Sequence, residues 1–596
     1  MEQNKSGQTM WQKAYTWICR FTEQRLIVQV AFPLLLLLFG LAGAFDGADL
    51  SDTTYSLGNY AYFKTLRGDW LYATYLSNLT GYLLLKICGG RMLWMNVLTR
   101  LFPVAAALLA YHALRGRIHP VILFWGEVIA LGLCWCPSVI LYNYLSYFLL
   151  AASASLLSGW RETEKRGRLF AAGVFLGLSL LVRISNLAYC ALVLFVWYCD
   201  AKKGEGHPAV RDTLVCIGGY LCGVAAAFLL LVLSGLENGG AAGVAAGLQG
   251  MVQWVSGLFT SSAGDAGGYS MGAMLRLILG GYLFGAGHFL PMLGGLVLGT
   301  VMFALFRDRF LAAKKVLYLC GVALLFLYYY RNGVFTVKYY NNGCIYGIGT
   351  VLLLALLLLF AGTALFPGRE DGSRSDRDLA VFALLLLLIA PLGSNNHLYA
   401  VLNQMFFTAP LGLALFGKML RRQKKKAWFW PLACMGLCFI TLFTVQAVLF
   451  SGTYVFKDGE DGSRRDAVVS ENVPLRGMRT SAAHKEAIEG LTAAAPSDAS
   501  MITYGNLPGL HYALHLAPAL SNLWPDLDSY SYGDMEEELQ EAGKSGSEPV
   551  IVMAADMPDY CGDMQKKYSL LQDFIYNNGY EIKYQNEEFI LYGKAD

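Results

Sequence analysis

Phe45-Asp46-Gly47-Ala48-Asp49-Leu50-Ser51-Asp52 places three carboxylates directly after the apolar run 26–45. That run is about the length needed to cross roughly 30 Å of hydrocarbon, and Lys13, Arg20 and Arg25 precede it. Basic residues favour the cytoplasmic flank, so the acidic stretch is expected to leave the bilayer on its outer side. A removed signal would need a shorter apolar core, whereas this leucine run continues through Pro33 into the acidic loop, which favours a retained anchor.

Outward from this point, long apolar stretches recur to about residue 450; 56% of the chain is hydrophobic and 15% charged. These values describe a polytopic membrane protein. The net charge of +3 hides a split: residues 451–596 hold 11 Lys+Arg against 24 Asp+Glu, and residues 1–450 hold 35 against 19. A basic membrane part and an acidic tail disfavour a nucleic-acid partner and fit a basic cytoplasmic side with an acidic domain outside. Most of the thirteen cysteines lie in apolar spans and the tail has only Cys561, so no disulfide framework is implied.

Apolar windows and basic flanks together predict about thirteen spans within residues 1–450. Cytoplasmic turns fall at 115–117, 161–168, 202–211, 307–315, 369–377 and 421–426. Outer loops fall near 46–90, 136–140, 183–187, 235–275, 328–343 and 393–404. The first outer loop, 46–90, carries an aromatic, leucine-rich stretch at 71–88 that reads as a helix lying along the interface. Residues 235–275, rich in Gly and Ala, read as a flexible outer loop. From 451 to 596 the pattern becomes that of a small extracytoplasmic α/β domain: apolar runs at 500–504 and 549–553, amphipathic stretches near 482–494 and 564–577, and a hairpin-like pair from Tyr580 to Tyr592. The predicted fold is mainly α, a transmembrane helical bundle with a small C-terminal α/β domain, in a plasma membrane.

Chemistry on an outer face lacks nucleotide sugars and ATP, so group transfer there needs a donor activated beforehand and delivered through the membrane, such as a polyprenyl-phosphate-linked sugar. The residues expected are a carboxylate to deprotonate an acceptor hydroxyl, cations for the departing phosphate, and an apolar groove. Asp46 follows its span directly and is the first candidate base; Asp49 and Asp52 follow at successive helical turns. Their duller role is to cap a helix starting near Thr53. Clustered carboxylates also leave open a divalent cation, magnesium or manganese.

Candidate substrate contacts are Arg183 and Asn186 in Arg183-Ile184-Ser185-Asn186, Arg276, Arg331, Lys338, Tyr142 and Asn143, and the polar turn Asn395-Asn396-His397. Arg183 leads as a lone interfacial cation, with snorkelling as its alternative. Glu127 lies midway along a span, too deep for an outer reaction centre, and is expected to make a structural hydrogen bond. No GxxxxGK loop or HExxH helix is present, and Cys134-Trp135-Cys136 lacks the further ligands of a metal site.

This arrangement resembles the GT-C superfamily of membrane glycosyltransferases, which includes protein mannosyltransferases, aminoarabinose transferases and oligosaccharyltransferase catalytic subunits. The resemblance lies in the acidic first outer loop with interfacial helices, about a dozen spans and a soluble outer domain at the C-terminus. It implies transfer of a sugar from a polyprenyl-phosphate donor to a glycan, lipid or protein acceptor, with Asp46 as the first-loop acid. Arg183-Ile184-Ser185-Asn186 is similar to an outer Arg-x-Ser-Asn pattern of bacterial members. Where many members carry a second acidic motif, this chain has Tyr142-Asn143-Tyr144. The alternatives are a lipid-linked sugar flippase or transporter, which would favour broken, charged helices and internal repeats, and a polysaccharide ligase or polymerase.

Overall fold

The computed structural model describes residues 21–66, 69–135, 137–202, 208–260, 271–305, 309–338, 343–366, 373–392, 396–456, 468–527, 530–544 and 548–595. Among them, seven helices are long and apolar enough to cross a membrane: Met92–Leu114, Ile184–Ala201, Val210–Gly235, Gly272–Leu305, Leu311–Arg331, Gly343–Leu365 and Phe429–Thr453. Two shorter apolar helices, Ile27–Leu41 and Pro120–Leu133, join them. Other segments of the thirteen-span reading form helices that are shorter or more polar, among them Leu141–Thr163, Arg166–Val182, Ser373–Ile389 and Thr408–Arg422.

Close helix contact in the bundle depends on missing side chains. A Cβ at Gly173 or Gly177 would lie 2.1 Å from the carbonyl oxygens of Cys216 and Tyr220, and one at Gly219 or Gly223 would meet those of Phe170 and Val174. Small residues four apart on both helices let the backbones touch, the packing device of membrane bundles where hydrophobicity supplies little drive.

Five of the six basic turns meet at one end of the bundle. Arg161 and Lys202 both grip Asp378, Lys418 and Arg422 grip Asp376, Arg117 pairs with Glu162, and Arg166 with Asp212. The other end of Met92–Leu114, roughly 34 Å away at 1.5 Å per residue, meets the C-terminal domain: Met92 N–H donates to the Pro474 carbonyl at 3.0 Å.

Residues 235–260, expected as a loop, are helical within Pro208–Thr260, with a break at Gly240 (φ 60°, ψ −144°). The alanines in this stretch supply the highest helix propensity of any residue, and Gly240 adopts the left-handed φ that permits the kink. Residues 261–270 lie outside the described residues.

Beyond residue 468 the chain forms a two-stranded ribbon of β1 (Val468–Val469) and β2 (Arg479–Thr480) and a five-stranded sheet. The sheet comprises β3 (Ser500–Tyr504), β4 (Ala517–Pro518), β5 (Val550–Ala554), β6 (Tyr580–Gln585) and β7 (Phe589–Lys594), in the order β4-β3-β5-β7-β6. β3 runs parallel to β4 and β5, and β7 antiparallel to β5 and β6. β3 and β5 are the two apolar runs of the tail, since strands buried on both faces lose polar alternation. One apolar cluster unites Ala48, Leu50, Leu57, Met92 and Met95 with Met478, Ile488, Leu491, Tyr512 and Phe589. The C-terminal domain therefore shares a core with the acidic loop.

Candidate active site

The first span ends at Ala42, where ψ swings to 131°. Gly43 (φ 77°) and Gly47 (φ 96°) then turn the chain sharply in conformations that only glycine adopts cheaply. Asp46 lies between them in a one-residue bridge to β2: Arg479 N–H donates to the Phe45 carbonyl at 2.7 Å, and the Arg479 carbonyl accepts from Gly47 N–H at 2.8 Å. Both Asp46 carboxyl oxygens are shielded from bulk solvent.

Asp46 and Asp49 line one cavity of about 270 Å³. Its walls come from the end of the first span, from Asn96 and Arg100, from Trp135, Ser138 and Tyr144, and from Tyr454 and Phe456 beyond the last membrane helix. A second, apolar cavity of about 310 Å³ is lined by Ile129, Phe439 and Phe443 among others. These residues belong to Pro120–Leu133 and Phe429–Thr453, helices that also supply Leu131, Gly132, Val448 and Phe450 to the acidic cavity.

The three acids have different settings. Asp49 is buried and caps the helix Asp52–Ala61: one oxygen accepts from the backbone N–H and hydroxyl of Ser51, the other from Thr53 N–H at 2.8 Å. Burial pushes its pKa above the usual carboxylate value, against the pull of these hydrogen bonds, while the charge of Asp52 adds to the rise. Asp52 is the first residue of that helix, half-buried, and is not among the cavity-lining residues.

Arg183 ends the helix Arg166–Val182, donates to Asn143 Oδ1 at 3.2 Å and lies 5.5 Å from the centre of the Tyr142 ring. These three residues are thus brought together; none lines the acidic cavity, although Asn143 is the chain neighbour of the cavity-lining Tyr144. Asn186 is buried and its amide donates to Ser146 Oγ at 2.6 Å and to the Ser179 carbonyl at 2.9 Å, so its donors serve the helix junction.

Asn395 lies outside the described residues, and Asn396 is exposed. His397, half-buried with φ 37°, has Nδ1 3.3 Å from the Tyr346 hydroxyl. Burial holds its imidazole below the ordinary histidine value. Ring contacts run from His397 through Tyr346 and Tyr399 to Trp135 in the cavity wall. Arg276, Arg331 and Lys338 are exposed and do not line the acidic cavity. Glu127 is fully buried, and among the described residues neither of its oxygens has a hydrogen-bond partner, contrary to the structural bond expected.

Arg100 is the site residue that sequence reasoning missed. It donates to the carbonyls of Ala42 at 2.5 Å and Gly43 at 3.1 Å, holding the end of the first span, and its side chain lines the cavity. The signal was present, since an arginine inside an apolar span is costly enough to mark function. Among the described residues no group of three or more His, Cys, Asp or Glu side chains is arranged to hold a metal. A divalent cation would rest on Asp46, on Asp49 with its oxygens already hydrogen-bonded, and on neutral oxygens of the wall.

No protein-family model and no curated protein sequence matches this chain. Among solved structures it is similar to ArnT from Cupriavidus metallidurans bound to undecaprenyl phosphate, at 11% identity over 98% of each chain with a TM-score of 0.44. The apo form of that protein gives 13% identity, the same coverage and a TM-score of 0.43. An Archaeoglobus fulgidus oligosaccharyltransferase complexed with zinc and sulfate gives 12% identity over 94% of this chain and 73% of the other, with a TM-score of 0.45.

Proposed function

We propose that this chain is an integral membrane glycosyltransferase of GT-C type that moves a sugar from a polyprenyl-phosphate donor to an acceptor at the outer face of the plasma membrane. One observation carries the reading: Asp46 lines a cavity that also holds an arginine and aromatic rings, and two helices of its wall also bound an apolar cavity. A carboxylate, a cation, sugar-sized aromatic faces and an apolar recess are the parts that a lipid-phosphate donor requires.

In this mechanism Asp46 takes the proton of the acceptor hydroxyl as its oxygen bonds to the anomeric carbon. The bond from that carbon to the phosphate oxygen breaks, and the electron pair leaves with polyprenyl phosphate. Arg100 in the wall, and Arg183 beside Tyr142 and Asn143, stabilise the departing charge. Trp135, Tyr144 and Tyr454 offer faces for the sugar ring. Arg276, Arg331, Lys338, Asn396 and His397 belong to the surrounding acceptor and membrane surface in this reading, with the C-terminal domain on the extracytoplasmic side.

The test supplies a radiolabelled polyprenyl-phosphate hexose to the purified chain in liposomes. Asp46→Asn is expected to lower transfer by about 10³-fold, within the range of positioned general bases. Equal transfer by both proteins removes the catalytic assignment, and lipid scrambling without transfer supports a flippase instead.

A further inference from the structure

The loop from Ala42 to Leu50 is tied down almost carbonyl by carbonyl, and from two directions. The membrane helix Met92–Leu114 takes the first part: Arg100 holds Ala42 and Gly43, and Asn96 Nδ2 donates to the Ala44 carbonyl at 2.8 Å. The C-terminal domain takes the rest. Beyond the β2 bridge around Asp46, His484 Nε2 lies 3.3 Å from the Ala48 carbonyl, and Gly509 N–H donates to the Leu50 carbonyl at 2.8 Å.

His484 is itself held. Its Nδ1 lies 2.6 Å from Glu588 Oε2 in the turn before β7, and its own N–H donates to Ser481 Oγ, the cap of the helix Ala482–Ala494. A carboxylate and a carbonyl accept only, so satisfying both requires a proton on each ring nitrogen. Two elements of the C-terminal domain thereby converge on the peptide two residues after Asp46.

We propose that the C-terminal domain is a working part of the acidic site, and that His484, oriented by Glu588, is a positioning residue for Asp46. The inference rests on the reading of Asp46 as the base. Gly43 and Gly47 leave this loop with unusual backbone freedom, and a misplacement of about 1 Å at a reacting group costs on the order of 10²-fold in rate. The His484–Ala48 bond removes that freedom on the side of the loop that the membrane helices do not reach.

The test uses the full chain in lipid nanodiscs with His484→Asn, His484→Gln and Glu588→Gln. Amide exchange of residues 43–50 is read beside hexose transfer from the radiolabelled polyprenyl-phosphate donor. Glutamine places its amide nitrogen near the position of Nε2, whereas asparagine falls short of Ala48. His484→Asn is expected to speed exchange at Gly47 and lower kcat, each by about tenfold, with the donor KM unchanged. His484→Gln should stay within about threefold of wild type.

Exchange and kcat unchanged in His484→Asn, or equal losses in the Asn and Gln variants, would overturn the positioning role. If exchange in His484→Asn also rises through residues 500–554, the domain has opened and Glu588→Gln decides: faster exchange confined to 43–50 supports the clamp, and unchanged exchange there overturns it. Absence of transfer by the wild-type chain would sink the glycosyltransferase reading and, with it, the role assigned here, while the exchange data report separately on the clamp.

Discussion

Asp49 and Asp46 sit three residues apart in one loop and line one cavity, yet their proposed work differs, and Asp49→Ala separates the two. The substitution withdraws the acceptors of Ser51 N–H at 2.9 Å, the Ser51 hydroxyl, and Thr53 N–H at 2.8 Å. Losing a side-chain cap costs about 1–2 kcal/mol, and a buried amide left without an acceptor adds about 1 kcal/mol. Part of this is returned, because burial raises the Asp49 pKa and the ionised side chain carries a desolvation cost at neutral pH. A folded-state value above the unfolded one makes its contribution fullest at acid pH and smaller as pH rises through the folded value. The net expectation is about 2 kcal/mol at neutral pH, a roughly 30-fold rise in the opening of the helix Asp52–Ala61. Amide exchange across residues 51–57 measures it directly. Asp46→Asn, which keeps shape and leaves the backbone bonds to Arg479 in place, should leave that exchange unchanged while lowering transfer by about 10³-fold. The reasoning is refuted if Asp49→Ala leaves exchange at 51–57 unaltered, or if Asp49→Asn stops transfer as completely as Asp46→Asn with exchange unchanged.

Two further outcomes follow from buried contacts at the domain junction. His511 is fully buried and burial pushes its pKa down to about 4, against the pull of the Leu516 carbonyl. The unfolded chain takes up a proton at about 6.5, so stability should fall as pH drops from there towards 4, by on the order of 3 kcal/mol; His511→Gln should flatten this slope in thermal melts between pH 7.5 and 4.5. At Gly509 an added Cβ would lie 1.6 Å from Thr54 Oγ1 and 2.6 Å from the Leu50 carbonyl. Gly509→Ala should therefore cost about 1–3 kcal/mol by forcing the C-terminal domain off the acidic loop, and an unshifted melting temperature would contradict the docked geometry.

Much of the architecture was legible because membrane spans and basic turns are local properties. Apolar length marked the seven helices long enough to cross a membrane, and ion pairs link turns 115–117, 161–168, 202–211 and 421–426 to one another and to the acids at 376 and 378 across one end of the bundle. In the tail, the runs 500–504 and 549–553 read as buried strands because both faces are covered. Where two local signals competed, the reading failed: glycine content in 235–260 suggested a loop, but alanine propensity and packing against neighbouring helices made a helix with a single break.

The site divides along the same physical line. An acidic stretch at the end of the first span, and a cation at the start of Arg183-Ile184-Ser185-Asn186, are visible in the chain itself, because charge next to hydrocarbon is costly wherever it occurs. Which carboxylate lines a cavity, which one caps a helix, and which groups complete the wall depend on residues hundreds of positions apart. Arg100, Trp135, Tyr454 and Arg479 meet Asp46 only because membrane helices and a β-ribbon converge on one loop. Composition and periodicity report the environment a residue needs, whereas non-local packing chooses the neighbours that provide it.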